Sequence, residues 1–208
     1  MPFWIVIKDK EDLVNNMIKI ILATSNPHKL EEINAINKNP NIIFDVIKGD
    51  FNPVENGSTF KEKAAIKAVE ASKITKTYCL ADDSGLCVDA LEGRPGLYSA
   101  RYAPTQKEKI EKLLNEMKDV PYDWRGAHFI CSMVLVDAQG KTLHSETGKV
   151  FGYIDDCAKG SNGFGFDPVF FIPEYNKTMA ELPEEEKNKI SHRANALIPM
   201  LKWIEENL

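Results

Sequence analysis

Two adjacent acids, Asp82 and Asp83, followed by Ser84 and Gly85, are the residues whose types and spacing most directly suggest chemistry. They belong to the stretch 80–101, LADDSGLCVDALEGRPGLYSAR, which follows an apolar run at 78–81 that reads as a short buried strand. A carboxylate at the end of a buried strand is costly unless a metal ion, a cation or hydrogen bonds compensate it. On a regular strand the two acids point to opposite faces, so only one of them serves a given site. The competing explanation is that both hold a turn through side-chain to backbone hydrogen bonds. Glu55 lies in an Asn-, Pro- and Gly-containing loop at 49–58. It reads as a solvated acid unless the fold brings it to Asp83.

Three further clusters could contribute. Thr24, Ser25, Asn26, Pro27, His28 and Lys29 follow the strand-like IKIIL at 18–22. Asn26 fits an N-cap and Pro27 a first helical turn, with Leu30, Ile33 and Ile36 as the apolar face. Free N–H groups and the helix dipole attract an anion there, and Lys29 adds charge. The plainer account is a capped helix with a solvated lysine. The loop 159–173, KGSNGFGFDPVFFIP, holds three glycines and four phenylalanines beside Asp167. It offers an aromatic face and a carboxylate for a flat polar ligand, or it is pinned to the core by its phenylalanines. In the last stretch, Ser191 fits an N-cap of a terminal helix. Ala194, Leu197, Ile198, Leu201 and Ile204 form its inner face, and Pro199 should kink it. His192 and Arg193 occupy the first turn, where a helix prefers acids. With Lys187 just upstream they point to a bound anion, or they are incidental surface cations.

The elements that must position these residues alternate. Residues 41–47 read as a strand. Thr59 and Glu62 resemble a capping box opening a helix to about residue 74, with Ala65, Ala68, Val69 and Ser72 inward. A helix at 105–117 carries Ile110, Leu113, Leu114 and Met117. Strands at 127–136 and 142–154 flank a hairpin turn at 137–140. The pattern predicts a mixed sheet in an α/β protein. Residues 1–17 either precede the working start or add a strand and short helix.

With 43% apolar and 27% charged residues, the 208-residue chain can bury one sizeable core, or two small lobes sharing one. A formal charge of −5 argues against a nucleic-acid coat. It does not oppose a polyanionic small molecule, which needs only local cations. The four cysteines, Cys79, Cys87, Cys131 and Cys157, show neither CxxC nor zinc spacing. No segment has the length of a membrane span, and the expectation is a cytoplasmic protein with reduced thiols.

TSNPHK (24–29), the acidic loop at Glu55, LADDSGL (80–86), GRPGLYSARY (93–102), FGFDPVFF (164–171) and EEKNKISHR (185–193) occur in that order. The set resembles the inosine triphosphate pyrophosphatase family over nearly all of 18–208. Two positions depart from the family pattern: Ser25, often glycine, and Phe166, commonly Tyr or Trp. The resemblance implies an elongated mixed sheet flanked by helices, with two lobes, a central nucleotide cleft and a single domain over 18–208. It implies a homodimer that uses Mg²⁺ to cut deaminated purine nucleoside triphosphates between the α- and β-phosphates. By matched position, Asp83 is the proton acceptor and a metal ligand, with Glu55 as second metal ligand. Thr24, Ser25, Asn26, Pro27, His28 and Lys29 hold phosphates, and Ser84 contacts substrate. Phe164, Gly165, Phe166 and Asp167 hold the base, and Lys187, His192 and Arg193 complete the pocket. The alternatives are a related enzyme for other nucleotides, such as modified pyrimidines, and a binding module that senses without hydrolysis.

Overall fold

The computed structural model describes residues 17–49 and 51–208. The alternatives for the N-terminal stretch therefore fall outside the described residues, Met17 excepted. In chain order the elements are β1 (Ile18–Leu22), α1 (Pro27–Ile36), β2 (Ile42–Val46), α2 (Phe60–Thr75), β3 (Cys79–Val88), α3 (Gln106–Met117), β4 (Gly126–Val136), β5 (Thr142–Ile154), β6 (Phe170–Ile172), β7 (Lys177–Thr178), α4 (Glu184–Ile190) and α5 (His192–Asn207). Local signals set several of the boundaries. The Asn26 side chain accepts from the His28 N–H at 3.1 Å, and Thr59 accepts from that of Glu62 at 3.1 Å. Thr105 and Glu108 cap α3 reciprocally, and Asp137 Oδ1 accepts from Gln139 and Lys141 N–H, each at 2.9 Å, to close the β4–β5 hairpin.

The strands form one mixed sheet in the order β2-β1-β3-β4-β5-β6-β7, with β1 parallel to both neighbours and the other pairs antiparallel. Apolar clusters cover it in two regions. Around β1 and β2 they are built on α1 and α5 on one face and on α2 on the other. At the far end of β3–β5 the core is closed by α3, β6 and the segment leading to α4. This is the elongated two-lobed α/β architecture expected.

Two expectations need correction. The strand at 78–81 does not stop before the acids. β3 runs through them to Val88, with Asp82 opposite Met133 and Asp83 opposite Ser132 in β4. A continuous antiparallel ladder satisfies the backbone there, so neither acid is needed to hold a turn. The second concerns the terminal helix, which starts at the expected Ser191 cap but is preceded by a separate short helix, α4, and turns a different face inward. Ser191, at ψ 154°, ends α4 and caps α5, its Oγ accepting from the Ala194 N–H at 3.1 Å. The inner face of α5 runs through Arg193, Ala194, Ala196, Leu197, Met200 and Ile204, whereas Ile198 is 52% exposed.

The edge of β3 is what opens the site. β1 pairs with β3 only at Ile21–Cys79 and Leu22–Leu80, then leaves the sheet toward α1. Further along the same strand, the turn at Gly96–Arg101 packs back. There Ser99 Oγ accepts from the Leu86 N–H at 2.9 Å. Gly85 is required at that approach, because a Cβ would lie 2.3 Å from the Gly96 carbonyl oxygen. Between these two contacts Asp82, Asp83 and Ser84 occupy a gap in the edge, with Asp83 and Ser84 lining the cleft and Asp82 buried behind it. On one face α5 begins directly over β5. A Cβ on Gly148 would lie 2.3 Å from the His192 carbonyl oxygen. Its absence lets His192 and Arg193 descend toward the gap.

Candidate active site

A cleft of about 440 Å³ opens at this gap, within the size range of small-molecule sites. Its two walls carry different electrostatics because the pleat sends Asp82 and Asp83 apart.

On the α1–α5 face Asp82 is buried. The Lys29 ammonium lies 2.9 Å from its carboxylate, Arg193 Nη2 lies 3.3 Å away, and the Ser84 hydroxyl donates at 2.8 Å. Burial opposes ionisation of Asp82, but Lys29, Arg193 and Lys67 outweigh it and hold the carboxyl far below the usual range. Arg193 also pairs with Glu32 of α1, and Glu32 lies 2.6 Å from Lys187. Burial of Glu32 is likewise outweighed by Arg193 and Lys187, so it stays ionised. Lys187 in turn lies 2.8 Å from Asp167, which accepts from the Phe164 N–H at 2.8 Å. Burial raises the Asp167 carboxyl above its ordinary value, and Lys187 offsets this only in part. Asp82, Glu32 and Asp167 thus face Lys29, Lys187 and Arg193 in a buried network of three acids and three cations tying α1, β3, α4 and α5 together.

The α2 face is different. Asp83 lies 3.0 Å from Lys67, and Lys67 lies 3.7 Å from Glu55. Burial raises the Asp83 carboxyl above its ordinary value, and Lys67 offsets this only in part. Lys67 remains protonated because Asp83, Asp82 and Glu55 outweigh its own burial. Asp83 is therefore a carboxylate of raised basicity at the cleft surface, held ionised by a lysine.

The Phe164 loop divides its phenylalanines. Phe164 lines the cleft, stacked on His28 at 5.5 Å between ring centroids, with Lys187 Nζ 4.9 Å from its ring centre. Phe166 is 4% exposed and packs edge-on to Tyr102 in the core. Phe166 thus pins the loop to the core, whereas Phe164 stands at the cleft wall.

Of the residues singled out by sequence, Thr24, Ser25, Asn26, His28, Lys29, Glu55, Asp83, Ser84, Phe164, Gly165, Phe166, Asp167, His192 and Arg193 line one cleft. Pro27 is exposed at the start of α1, and Lys187 is buried behind the Phe164 ring; neither lines it. Arg193 is not a first-turn cation waiting for an anion, since Asp82 and Glu32 already neutralise it. His192 is not a cation either. It is buried against Phe129 at 4.9 Å between ring centroids, and burial, then Arg193 and Lys187, push its pKa well below the ordinary value. Glu32 and Lys67 were missed. Lys67 shares a helical face with Ala64, Ala68 and Ala71, a placement visible as a lysine recurring on an alanine-rich stripe.

The state of His192 has a measurable consequence. In the unfolded chain a histidine titrates near ~6.5, so below that pH the unfolded state binds the extra proton and stability falls. Between pH 7.5 and 5 the wild type should lose stability relative to His192→Phe by up to ~1.4 kcal/mol per pH unit. Thermal or urea unfolding of both proteins across this range checks it. A pH-independent difference would mean that the imidazole takes up its proton equally in the folded and unfolded chain.

A mixed sheet opened at one edge, with a buried ion-pair network on one wall and a basic carboxylate on the other, is the frame of an α/β pocket protein. The chain belongs to the Ham1 family, whose model matches residues 20–203. A dITP/XTP pyrophosphatase of Halalkalibacterium halodurans is 45% identical over 193 residues, 89% of this chain and 98% of that protein. One from Oceanobacillus iheyensis is 45% identical over 195 residues, 90% of this chain and 98% of that one. Among solved structures, the Staphylococcus aureus Ham1 protein matches with a TM-score of 0.81 and 39% identity, over 91% of this chain and 100% of that one. A dITP/XTP pyrophosphatase of Mycobacterium abscessus matches with a TM-score of 0.70 and 36% identity, over 88% and 99%.

Proposed function

We propose that this chain hydrolyses deaminated purine nucleoside triphosphates (ITP, dITP and XTP) to the nucleoside monophosphate and pyrophosphate. Near-complete relatives named for this activity support the substrate class. The observation that carries the chemistry is Asp83, a basic carboxylate on the open wall whose neighbour Asp82 is neutralised on the other.

In the reaction a water oxygen bonds to the α-phosphorus as its bond to the bridging oxygen breaks. Pyrophosphate leaves with that electron pair. Asp83 accepts the water proton and later returns it to solvent. Lys67 keeps Asp83 ionised between turnovers, and Lys29 and the α1 N-terminus lie where phosphate oxygens can reach them. Asp83 and Glu55 would hold Mg²⁺. Their oxygens already bracket one cation, Lys67 Nζ, at 3.0 and 3.7 Å. One or two carboxylates plus substrate phosphates is the usual magnesium arrangement, and the ion would neutralise phosphate charge. Among the described residues no group of three or more His, Cys, Asp or Glu could hold a metal by itself.

At the other end, Phe164 supplies a face for the base. Arg193 Nε and His192 Nδ1 are buried polar atoms without partners among the described residues. A 6-oxo acceptor, as in inosine and xanthosine, suits the Arg193 donor. Adenine sets donor against donor and leaves a buried group unpaired, at ~1–3 kcal/mol. That corresponds to a factor of roughly 5–150, so ITP and XTP should exceed ATP in kcat/KM by about that much. Guanine shares the 6-oxo group, so its exclusion rests on a closed wall at the 2-amino position. Pyrophosphate release from ITP, XTP, ATP and GTP checks this. Equal rates with ITP and ATP would sink the substrate assignment, and no release from any nucleotide would favour a sensor.

The same reading takes residues 18–208 as one domain acting as a cytoplasmic homodimer. Four free thiols accord with a reducing compartment. Among the described residues, no helix is long and apolar enough to cross a membrane. Phe151, 67% exposed, stacks beside His128 on an aromatic strip that continues to Tyr153 and Tyr122, a face suited to a second copy.

A further inference from the structure

Three of the cations lining the cleft are compensated by carboxylates, namely Lys29, Lys67 and Arg193. Three others are not: Lys63, Arg101 and Lys109 line the same cleft, and none has a carboxylate within 4.0 Å among the described residues. Lys63 is the most telling, because it is 8% exposed. Its ammonium has only the Leu97 carbonyl oxygen at 3.4 Å and the Tyr98 ring centre at 5.9 Å. A buried ammonium without a counter-charge is expensive, and nothing in the fold of α2 requires it. Lys63 and Lys109 also occupy the same place, the fourth residue, in α2 and α3. The helix dipole disfavours a cation in the first turn. Two such lysines lining one cleft, with Arg101 beside them on the turn that flanks β3, make a positive patch that no carboxylate of the described residues compensates.

We infer that Lys63, Arg101 and Lys109 form a separate anion subsite that takes the terminal two phosphates of the substrate and then the inorganic pyrophosphate product. The inference rests on the proposed function for the identity of its ligand, and it divides the labour of the cleft. The network around Asp82 forms the α1–α5 wall, where each cation already has a carboxylate partner. The uncompensated cations lie toward the α2–α3 mouth, where the leaving group gains negative charge as the bond breaks. Charge placed there attracts the polyphosphate tail and also slows departure of pyrophosphate. Lys63→Met, which keeps the hydrocarbon stem, should therefore weaken the tail without disturbing the core.

Inorganic pyrophosphate is the probe. Its binding to the full chain is measured by titration calorimetry without substrate, for the wild type, Lys63→Met, Arg101→Ala and Lys109→Ala. Lys107→Ala serves as the control, an exposed lysine of α3 that does not line the cleft. Each of the three variants should lose about 5–20-fold in pyrophosphate affinity, with a shallower salt dependence, while Lys107→Ala loses less than twofold. Inhibition by the nucleoside monophosphate should be unchanged in all of them, since that product does not reach the subsite. With ITP the three variants should raise KM more than they lower kcat. Wild-type-like pyrophosphate affinity in folded Lys63→Met and Arg101→Ala would overturn the subsite. So would an equal weakening of the monophosphate, which would make the effect a general field of the cleft. If the wild type releases no pyrophosphate from any nucleotide yet binds it through these residues, the subsite stands and the proposed reaction fails.

Discussion

Asp83→Asn should lower turnover by at least ~10²–10⁴, the usual worth of a positioned general base, and leave unfolding almost unchanged. The asymmetry follows from its surroundings. Asp83 faces the cleft, shares one lysine with Glu55, and is raised by burial rather than locked into an ion-pair network. An amide in its place can still accept a hydrogen bond from Lys67 but cannot take a proton. The wild-type acidic limb of kcat/KM should lie above the ordinary aspartate value, because activity is lost as pH falls through the raised pKa of Asp83. Lys67 is the main influence holding that pKa down, so Lys67→Ala should move the limb further upward. Pre-steady-state and steady-state pyrophosphate release over pH 4–8 separates these effects. Full activity in Asp83→Asn would transfer the base role to another group.

Asp82→Asn should do the opposite, destabilising the fold by ~3–5 kcal/mol, the cost of removing one partner from a buried ion pair. Asp82 is 1% exposed and is the anion that Lys29 and Arg193 share. Without it, three cations, Lys29, Lys187 and Arg193, have only Glu32 and Asp167 as counter-charges, and the link between β3, α1 and α5 is lost. The network also sets an acid limit. Asp82 and Glu32 have lowered pKa values in the fold, so their contribution is present above the unfolded carboxylate values of about 4. It is lost as pH falls through the lower folded values. Urea unfolding at pH 7 and at pH 3 should show the Asp82→Asn penalty beginning to shrink with acid, as the unfolded wild type takes up a proton that the folded carboxylate still refuses. A penalty below ~1 kcal/mol at pH 7 would mean that solvent, not protein, compensates Asp82.

The sequence by itself determined the long elements, though not β6, β7 or α4, and about half of the cleft lining. Caps at Asn26, Thr59, Thr105 and Ser191 act through local hydrogen bonds, so they are legible without the fold. Strand alternation likewise fixed that Asp82 and Asp83 part company, since the pleat has a period of two wherever the strand pairs. Tertiary structure decided what each acid meets. Whether β3 stopped at Ala81 or ran to Val88 depended on β4, fifty residues onward, supplying a full ladder. Whether Arg193 stood as a free cation or within an ion-pair network depended on Glu32 and Asp82 arriving from two other elements. Ion pairs of this kind join residues far apart in the chain, and a charged side chain carries no local mark of its eventual partner. Lys63 and Lys67 make the point within one helix. They differ by a single turn on the same buried stripe, yet only Lys67 meets carboxylates, because Glu55 and Asp83 reach it while, among the described residues, Lys63 meets only the Leu97 carbonyl and the Tyr98 ring.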